Sequence, residues 1–550
     1  MDGIITDQSV RGNLLSFFPG ANQAKRGFQR ITRELLEMRR TAFIAVLIAS
    51  VFNLPVQARG FDFQHVIDKA EKLAQQSYQE PESIPRFLQE LSYEQYQGIR
   101  FKPERSLWHA SHSRFQVMLI SPGLFYRHPV KLHIIDAQGV HGLPFSKDYF
   151  TFSDQEIEKR VPRDLGYAGF KLTFPLQDAN TQNQFLVFAG ASYFRGVGRD
   201  NTFGISSRGI AVNTGLPSGE QFPSFVEFWL ERPDKDATAT TFYGLLDGKS
   251  VTGAYRFTVY PGMPTRLKVE ARLFTRDAVQ LLGIAPLTSM FYYGENTPRP
   301  RGQWRAQVHD SDGLLVHNGV SGEWLWRPLL NPKNLEMDYF QTENVQGFGL
   351  LQRDTRFWQY QDLGAHYETR PSAWVETRGD WGKGHVVLVQ LPTDSETNDN
   401  IVAFWSPRSE VKKGQSLSYA YTISFGDSTL ANEPAGQVIN TFVGDGSQIG
   451  GGNVSGAYRF IVDFAGGSLA KLSANAPVVS AVSAGDNGEV IEHFVEYSPA
   501  DQFWRLSILA KPAEDKPLSL RAFLSKDGEP VSETWNYRLP ANNYILGDGT

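Results

Sequence analysis

Three stretches of the chain set carboxylates among aromatic rings: LGIAPLTSMFYYGENTP (282–298), VHDSDGLLVHNGVSGEWLWRP (308–328) and RPSAWVETRGDWGKGHVVLVQLPTDSETNDNIVAFW (370–405). Two carboxyl groups of opposite protonation can divide the labour of glycoside hydrolysis, one protonating the leaving oxygen and the other activating water. Flat aromatic faces are what pyranose rings stack against, and rigidly supported loops are where such groups gather. All three stretches read as turn-like, Gly- and Asn-rich sequence rather than clean strands, and the same Asp, Asn and Gly content is also what ordinary loops are made of. Composition therefore leaves sugar chemistry and plain loop structure both open.

Other chemistries fit worse. The chain has no cysteine, which removes disulfides, thiolate nucleophiles and cysteine-bound zinc. Its 11 histidines are scattered without an H-E-x-x-H pair, so no metal is expected. No G-x-G-x-x-G follows a strand and no phosphate-binding G-x-x-x-x-G-K-[ST] occurs, so no nucleotide cofactor is expected. Ser289 lies in PLTSM rather than in a G-x-S-x-G elbow. A net charge of -5 provides no basic field for collecting phosphates, which sets nucleic acid aside as a partner.

The elements that must position these stretches are mostly strands. Hydrophobic residues at 41% against 21% charged describe a chain that can bury a full core. Phe61 to Gln76 places Phe63, Val66, Ile67, Ala70, Leu73 and Ala74 on one helical face behind the N-cap candidate Asp62. Beyond it, period-two runs such as FQVMLI, FKLTF, YRFTVY, TRLKVEARLF and HVVLVQL alternate with Gly, Pro, Asn and Asp clusters. No strand–helix–strand rhythm appears, so the fold is expected to be all-β, a large β-sandwich. After SYAYTISF the composition shifts to VGDGSQIGGGNVSG, placing a boundary near 430 between a large domain (59–429) and a small immunoglobulin-like sandwich (430–550).

The N-terminal region reads as an address. Arg39 and Arg40 precede an apolar run from Thr41 to Leu54, closed by Pro55 and followed by Val56-Gln57-Ala58, an A-x-A-like cleavage site. The run is shorter than the ~20 residues a membrane-spanning helix requires. Residues 38–58 are thus expected to be a secretory signal, with 1–37 an over-extended gene start ahead of Met38.

Long motifs across the mature chain carry a resemblance. LGYAGFKLTFPL, GASYFRGVG, GLPSGEQFPSFVEFWLERP, APLTSMFYYGENTP, NPKNLEMDYFQTENVQGFGLLQRD, the whole 370–405 stretch and SETWNYRLPAN are similar to the periplasmic glucans biosynthesis proteins of the G and D type. No hydrophobic pair directly follows Arg39-Arg40, so the twin-arginine export pattern is missing, which favours the G branch and general secretion. The resemblance implies a galactose-mutarotase-like β-sandwich followed by an immunoglobulin-like one, located in the periplasm and acting in the synthesis of osmoregulated glucans with a β-1,2-linked backbone. It leaves open whether the chain is an inverting endo-β-1,2-glucanase or a non-catalytic scaffold presenting nascent glucan to a branching partner. It also leaves open a homodimer and contact with an inner-membrane glucan synthase.

Carried over by motif, the Asp of ETNDN is the general acid, Asp399, and the Asp of the HDS element is the base, Asp310, acting directly or through waters or sugar hydroxyls. Tyr367 is implied as a substrate contact. Trp324 and Trp374 join it as candidate groove-lining aromatics, while Trp326, between Leu325 and Arg327, reads better as core. An Asp begins with a pKa near ~3.9, so Asp399 must be raised by burial or by the nearby Glu396 and Asp394 if it is to donate a proton. The Arg-rich TPRPRGQWRAQV stretch departs from the more familiar members.

The address makes a direct prediction: N-terminal sequencing of the protein from the soluble periplasmic fraction should begin at Arg59. Recovery of the uncleaved chain from membranes would refute it.

Overall fold

The computed structural model describes residues 60–448, 451–514 and 516–541, so the expected signal at 38–58 and the extension at 1–37 lie outside the described residues. The expected opening helix forms over Phe63–Ala74, and the Asp62 side chain accepts the His65 backbone N–H, satisfying one of the first-turn donors that a helix leaves unpaired. Val66 and Ala70 are fully buried against Trp229, Tyr243, Leu245, Ala254 and Phe274, so the helix covers the outer face of a sheet. Among the described residues no helix is long and apolar enough to cross a membrane.

Nearly everything else is β, as the period-two runs require. One ten-stranded sheet runs from Gln116–Ile120 through Gly169–Phe174, Asn183–Ala189, Leu282–Ser289, Ile401–Pro407 and Lys383–Gln390 to Glu336–Glu343. A fifteen-stranded sheet faces it, containing among others Ser224–Glu231, Val251–Tyr260, Thr265–Thr275, Ser416–Gly426, Ser372–Arg378 and Gly347–Leu351. Rings from the two sheets meet in the shared core: Phe188 lies 5.2 Å from Phe242 and 5.1 Å from Phe257, and Phe170 lies 5.1 Å from Phe228. Thr265–Thr275 alternates buried and exposed along most of its length, the signature of a strand with one wet face. Leu282–Ser289, read as turn-like sequence, is instead a strand buried throughout. A second apolar cluster of Ala211, Val387, Val389, Val402 and Phe404 covers the other face of this region.

The C-terminal strands form a four-stranded sheet, Gln437–Ser447, Asn453–Ala465, Phe503–Pro512 and Gly488–Ser498. It packs on Leu518–Lys526 and Thr534–Leu539 through Phe460, Val462, Leu506, Ile508, Leu520, Leu524 and Trp535. The strand Thr534–Leu539 also runs parallel to Trp324–Pro328, pairing Trp326 with Trp535 and extending the large sheet. Leu315, Trp326, Leu330, Leu351 and Trp374 complete this second core from the earlier part of the chain.

Arg353 fastens that junction. Its guanidinium lies 3.5 Å from the centre of the Trp326 ring and donates to both Glu533 oxygens, at 2.6 and 3.0 Å, and to the Val438 carbonyl at 2.6 Å. Glu433 closes on it at 3.8 Å. Burial, together with the charge on Glu533, pushes the Glu433 carboxyl far upward.

Removing the cation leaves buried acid without a counter-charge, which costs about 3–5 kcal/mol when one partner of a buried pair is deleted. Arg353→Ala should therefore lower unfolding stability by about that amount in urea titration. A loss below about 1 kcal/mol, the range of an exposed ion pair, would show that the junction does not depend on this residue.

Candidate functional site

Asp310 follows the short strand Val308–His309, which pairs antiparallel with Phe291–Tyr293, and its backbone N–H donates to the Met290 carbonyl at 2.8 Å. Tight pairing at the sheet end leaves this carboxyl only 5% exposed. Arg370, just past the turn Tyr367–Thr369, brings its Nη1 within 2.9 Å of one Asp310 oxygen and 3.1 Å of the other. Burial nevertheless dominates, and the Asp310 carboxyl is raised to about 6; Arg370 opposes this, the Asp399 charge adds to it, and Arg195 opposes it.

Asp399 sits in the loop joining Lys383–Gln390 to Ile401–Pro407. Two asparagines brace that loop. Asn400, buried, accepts the Phe291 N–H at 2.9 Å and donates to the Phe291 and Leu391 carbonyls at 3.0 Å each. Asn331 accepts from Thr393 N–H at 2.9 Å and donates to the Thr393 and Tyr292 carbonyls at 2.8 and 3.0 Å. The chain around Asp399 is thus tied to the strand that aligns Asp310. Asp399 itself keeps 34% of its side chain exposed, with the Arg195 Nη2 3.6 Å from its Oδ2. Arg195 is in turn oriented by Ser206, whose Oγ accepts its Nε at 3.0 Å.

The structure therefore brings Asp310 and Asp399 to one site with Arg195 acting on both. It corrects the expected electrostatics: the carboxyl that burial raises is Asp310, while Asp399 is open to water. Glu396, expected to act on Asp399, instead accepts from Arg305 Nη1 at 2.6 Å and from the Tyr367 hydroxyl at 3.0 Å. Arg305 also binds Asp362 at 2.9 Å, so the divergent TPRPRGQWRAQV stretch supplies the cation that ties the 361–366 and 391–400 loops together.

The aromatic candidates are placed differently from expectation. Tyr367 is 2% exposed, with the Arg370 guanidinium 4.7 Å from its ring centre and its hydroxyl donated to Glu396, so it supports the site from beneath and has no free face. Trp374 is 5% exposed and belongs to the C-terminal core, packed so closely over Gly347 that a Cβ there would collide with the indole. Trp324 stacks on His317 at 3.9 Å and on Trp374 at 5.8 Å, and packs against that same core rather than beside Asp310. Trp326 is core, as its apolar flanks indicated. The motifs GASYFRGVG, RPSAW and ETNDN contain Arg195, Arg370 and Asn400, but nothing in their spacing signalled a role in this site.

Behind Asp310 lies a buried polar layer. His309, Asp312 and Asp354 each place a potential ligand atom within 4.8 Å of the others. Those atoms are already engaged. One His309 ring nitrogen donates to the Gln352 or the Gln307 side-chain oxygen, each 3.0 Å from the ring, and Asp312 Oδ2 accepts the backbone N–H groups of Arg353 and Asp354. Gln307 also donates to Asp354, and Gln352 to the His309 carbonyl at 3.0 Å. Such a donor set fits a hydrogen-bonded support better than a vacant metal shell. Burial raises Asp312 to about 6 and Asp354 to about 7, and lowers His309 to about 4.

Comparison with known proteins agrees with this architecture at the level of sequence. The chain is 42% identical over 505 residues to the glucans biosynthesis protein G of Dickeya dadantii (strain 3937), a match covering 90% of this chain and 96% of that protein. Among solved structures, a galactose mutarotase related enzyme from Lactobacillus acidophilus aligns with 44% of this chain and 97% of its own, at 7% identity and a TM-score of 0.20. The model of the periplasmic glucan biosynthesis protein family, MdoG, matches residues 61–539 and so spans both Asp310 and Asp399; the chain belongs to that family.

Proposed function

We propose that this chain binds the β-1,2-linked backbone of a periplasmic glucan at the Asp310–Asp399 site and cleaves or trims it with inversion. The observation that carries the reading is a buried carboxyl with a guanidinium against it, placed near a second, water-accessible carboxyl, with one arginine acting on both. Asp310 is the base, held by Arg370 and activating water directly or through a relay. Asp399, open to water and beside Arg195 in the free protein, becomes the donor to the leaving oxygen when bound glucan covers it and burial raises its carboxyl. Tyr367 and Arg305 act through Glu396 by fixing the loop that carries Asp399. The described residues up to 429 hold the sugar site, and those described from 430 onward form the small immunoglobulin-like unit that buttresses it through Arg353 and Glu533.

The second reading is a scaffold that binds nascent glucan and presents it to a branching partner or an inner-membrane synthase, as a monomer or homodimer. The partly exposed, arginine-paired state of Asp399 suits binding as well as catalysis. Incubating purified protein with linear β-1,2-glucan and assaying new reducing ends separates the two: the catalytic reading expects them, and binding without new ends supports the scaffold.

If the parent is active, Asp399→Asn should reduce cleavage roughly 10²–10⁴-fold, the usual range for a general acid or base, while its melting temperature stays close to the parent's. Equal cleavage by this variant would overturn the acid assignment.

The pH profile follows from Asp310. A base must be ionised, and a carboxyl raised to about 6 loses its charge as pH falls through that value. Cleavage should therefore decline below about pH 6, and Arg370→Met, which removes the opposing cation, should move that acid limb upward. An acid limb near pH 4 in both proteins would show that Asp310 is not the titrating base.

A further inference from the structure

We infer that Trp304 and Trp358 form a stacking subsite for the neutral glucan chain at the rim of the Asp310–Asp399 site. The inference rests on the glucan reading above and assigns a ligand contact to residues outside the catalytic pair.

Trp304 is 64% exposed and Trp358 61%, with Phe357 and Leu363 exposed beside Trp358 in sequence. Indole surface left in water is costly, and exposed apolar patches mark binding surfaces when they cluster at a site. These residues come from two segments that the structure ties together. Arg305, next to Trp304 and 5.9 Å from its ring centre, is the same buried cation that binds Asp362 and Glu396. Trp358 belongs to the turn Phe357–Tyr360, which is anchored from inside by fully buried Tyr360. The Tyr360 hydroxyl donates to the Asp354 carbonyl at 3.1 Å, and its ring lies 5.7 Å from Tyr367. Both indoles are therefore carried on backbone fixed to the catalytic loop, and a rigid platform binds with less ordering cost than a mobile one.

The exposed rings indicate the ligand class. Arg305 is matched by two carboxylates and is not available to an acidic ligand. Exposed aromatic rings suit the C–H faces of a neutral pyranose. Trp324 and Trp374, expected to supply such faces, are committed to the second core.

The test uses the full chain carrying Asp399→Asn to prevent turnover, with the parent titrated beside it, and linear β-1,2-glucan oligosaccharides as the probe. Calorimetric titration should show binding weakened roughly three- to tenfold by Trp304→Ala and by Trp358→Ala, the range an aromatic stacking contact represents, and further in the double variant. Tyr93→Ala, on a similarly exposed ring carried by the short helix Tyr93–Gln97, should leave affinity unchanged. Undiminished binding by the double variant overturns the subsite while leaving the glucan reading intact; failure of the parent and the Asp399→Asn chain to bind overturns both. Sedimentation of the same proteins covers the other occupant: a parent dimer that the double variant dissociates, with glucan affinity retained, makes the patch an interface between copies instead.

Discussion

A guanidinium withdrawn from water needs partners from the protein, and Arg353 takes most of its own from the C-terminal part of the chain. It takes carboxylate oxygens from Glu533, a carbonyl from Val438 and a ring face from Trp326, while its own backbone N–H donates to Asp312. The C-terminal strands are thereby attached to the layer that supports the candidate site. Without this pairing Glu433 and Glu533 would hold buried acid with no compensating charge, and the parallel pairing of Trp326 with Trp535 would lie over an unstable interior.

From that layer outward, the structure grades burial into chemistry. His309 and Asp354 are buried and Asp312 largely so, and hydrogen bonds through Gln307, Gln352 and the Asp354 backbone N–H hold them at the strand end. Asp310 faces the other way, still buried but in contact with Arg370. Asp399 is partly wet, on a loop that Asn400 and Asn331 hold to Phe291–Tyr293, the strand paired with the one preceding Asp310. Two carboxyls of the same kind thus stand in different environments, which is the condition for giving them different protonation states and different roles. In a member of the periplasmic glucan biosynthesis family, that difference is a reason to look for chemistry on the glucan as well as binding of it.

Much of the architecture could be read before the fold was known because it is written in local patterns. The spacing of Val66 and Ala70 behind Asp62 specifies an amphipathic helix wherever it docks, and TRLKVEARLF alternates because one face of its strand meets water. Leu282–Ser289 was misread because Pro286 and the Gly283-containing, partly polar run resemble a turn, whereas burial on both faces removes the alternation that marks a strand. The aromatic candidates failed for a related reason. Trp374 and Trp324 sit near acidic residues in sequence, but which face of a strand is covered depends on strands from residue 437 onward.

The sequence by itself determined that the chain is β-rich, cysteine-free and equipped with family motifs containing Asp310 and Asp399, since composition, period-two alternation and long local motifs are properties of neighbouring residues. Only the tertiary structure decided that Asp310 is the carboxyl raised by burial, that Glu396 is taken by Arg305 and Tyr367, and that Arg195 and Arg370 attend the pair. Those outcomes depend on desolvation and on charges a few ångströms away, and the groups responsible are brought together from chain positions 60 to more than 200 residues apart. No local pattern records such a distance.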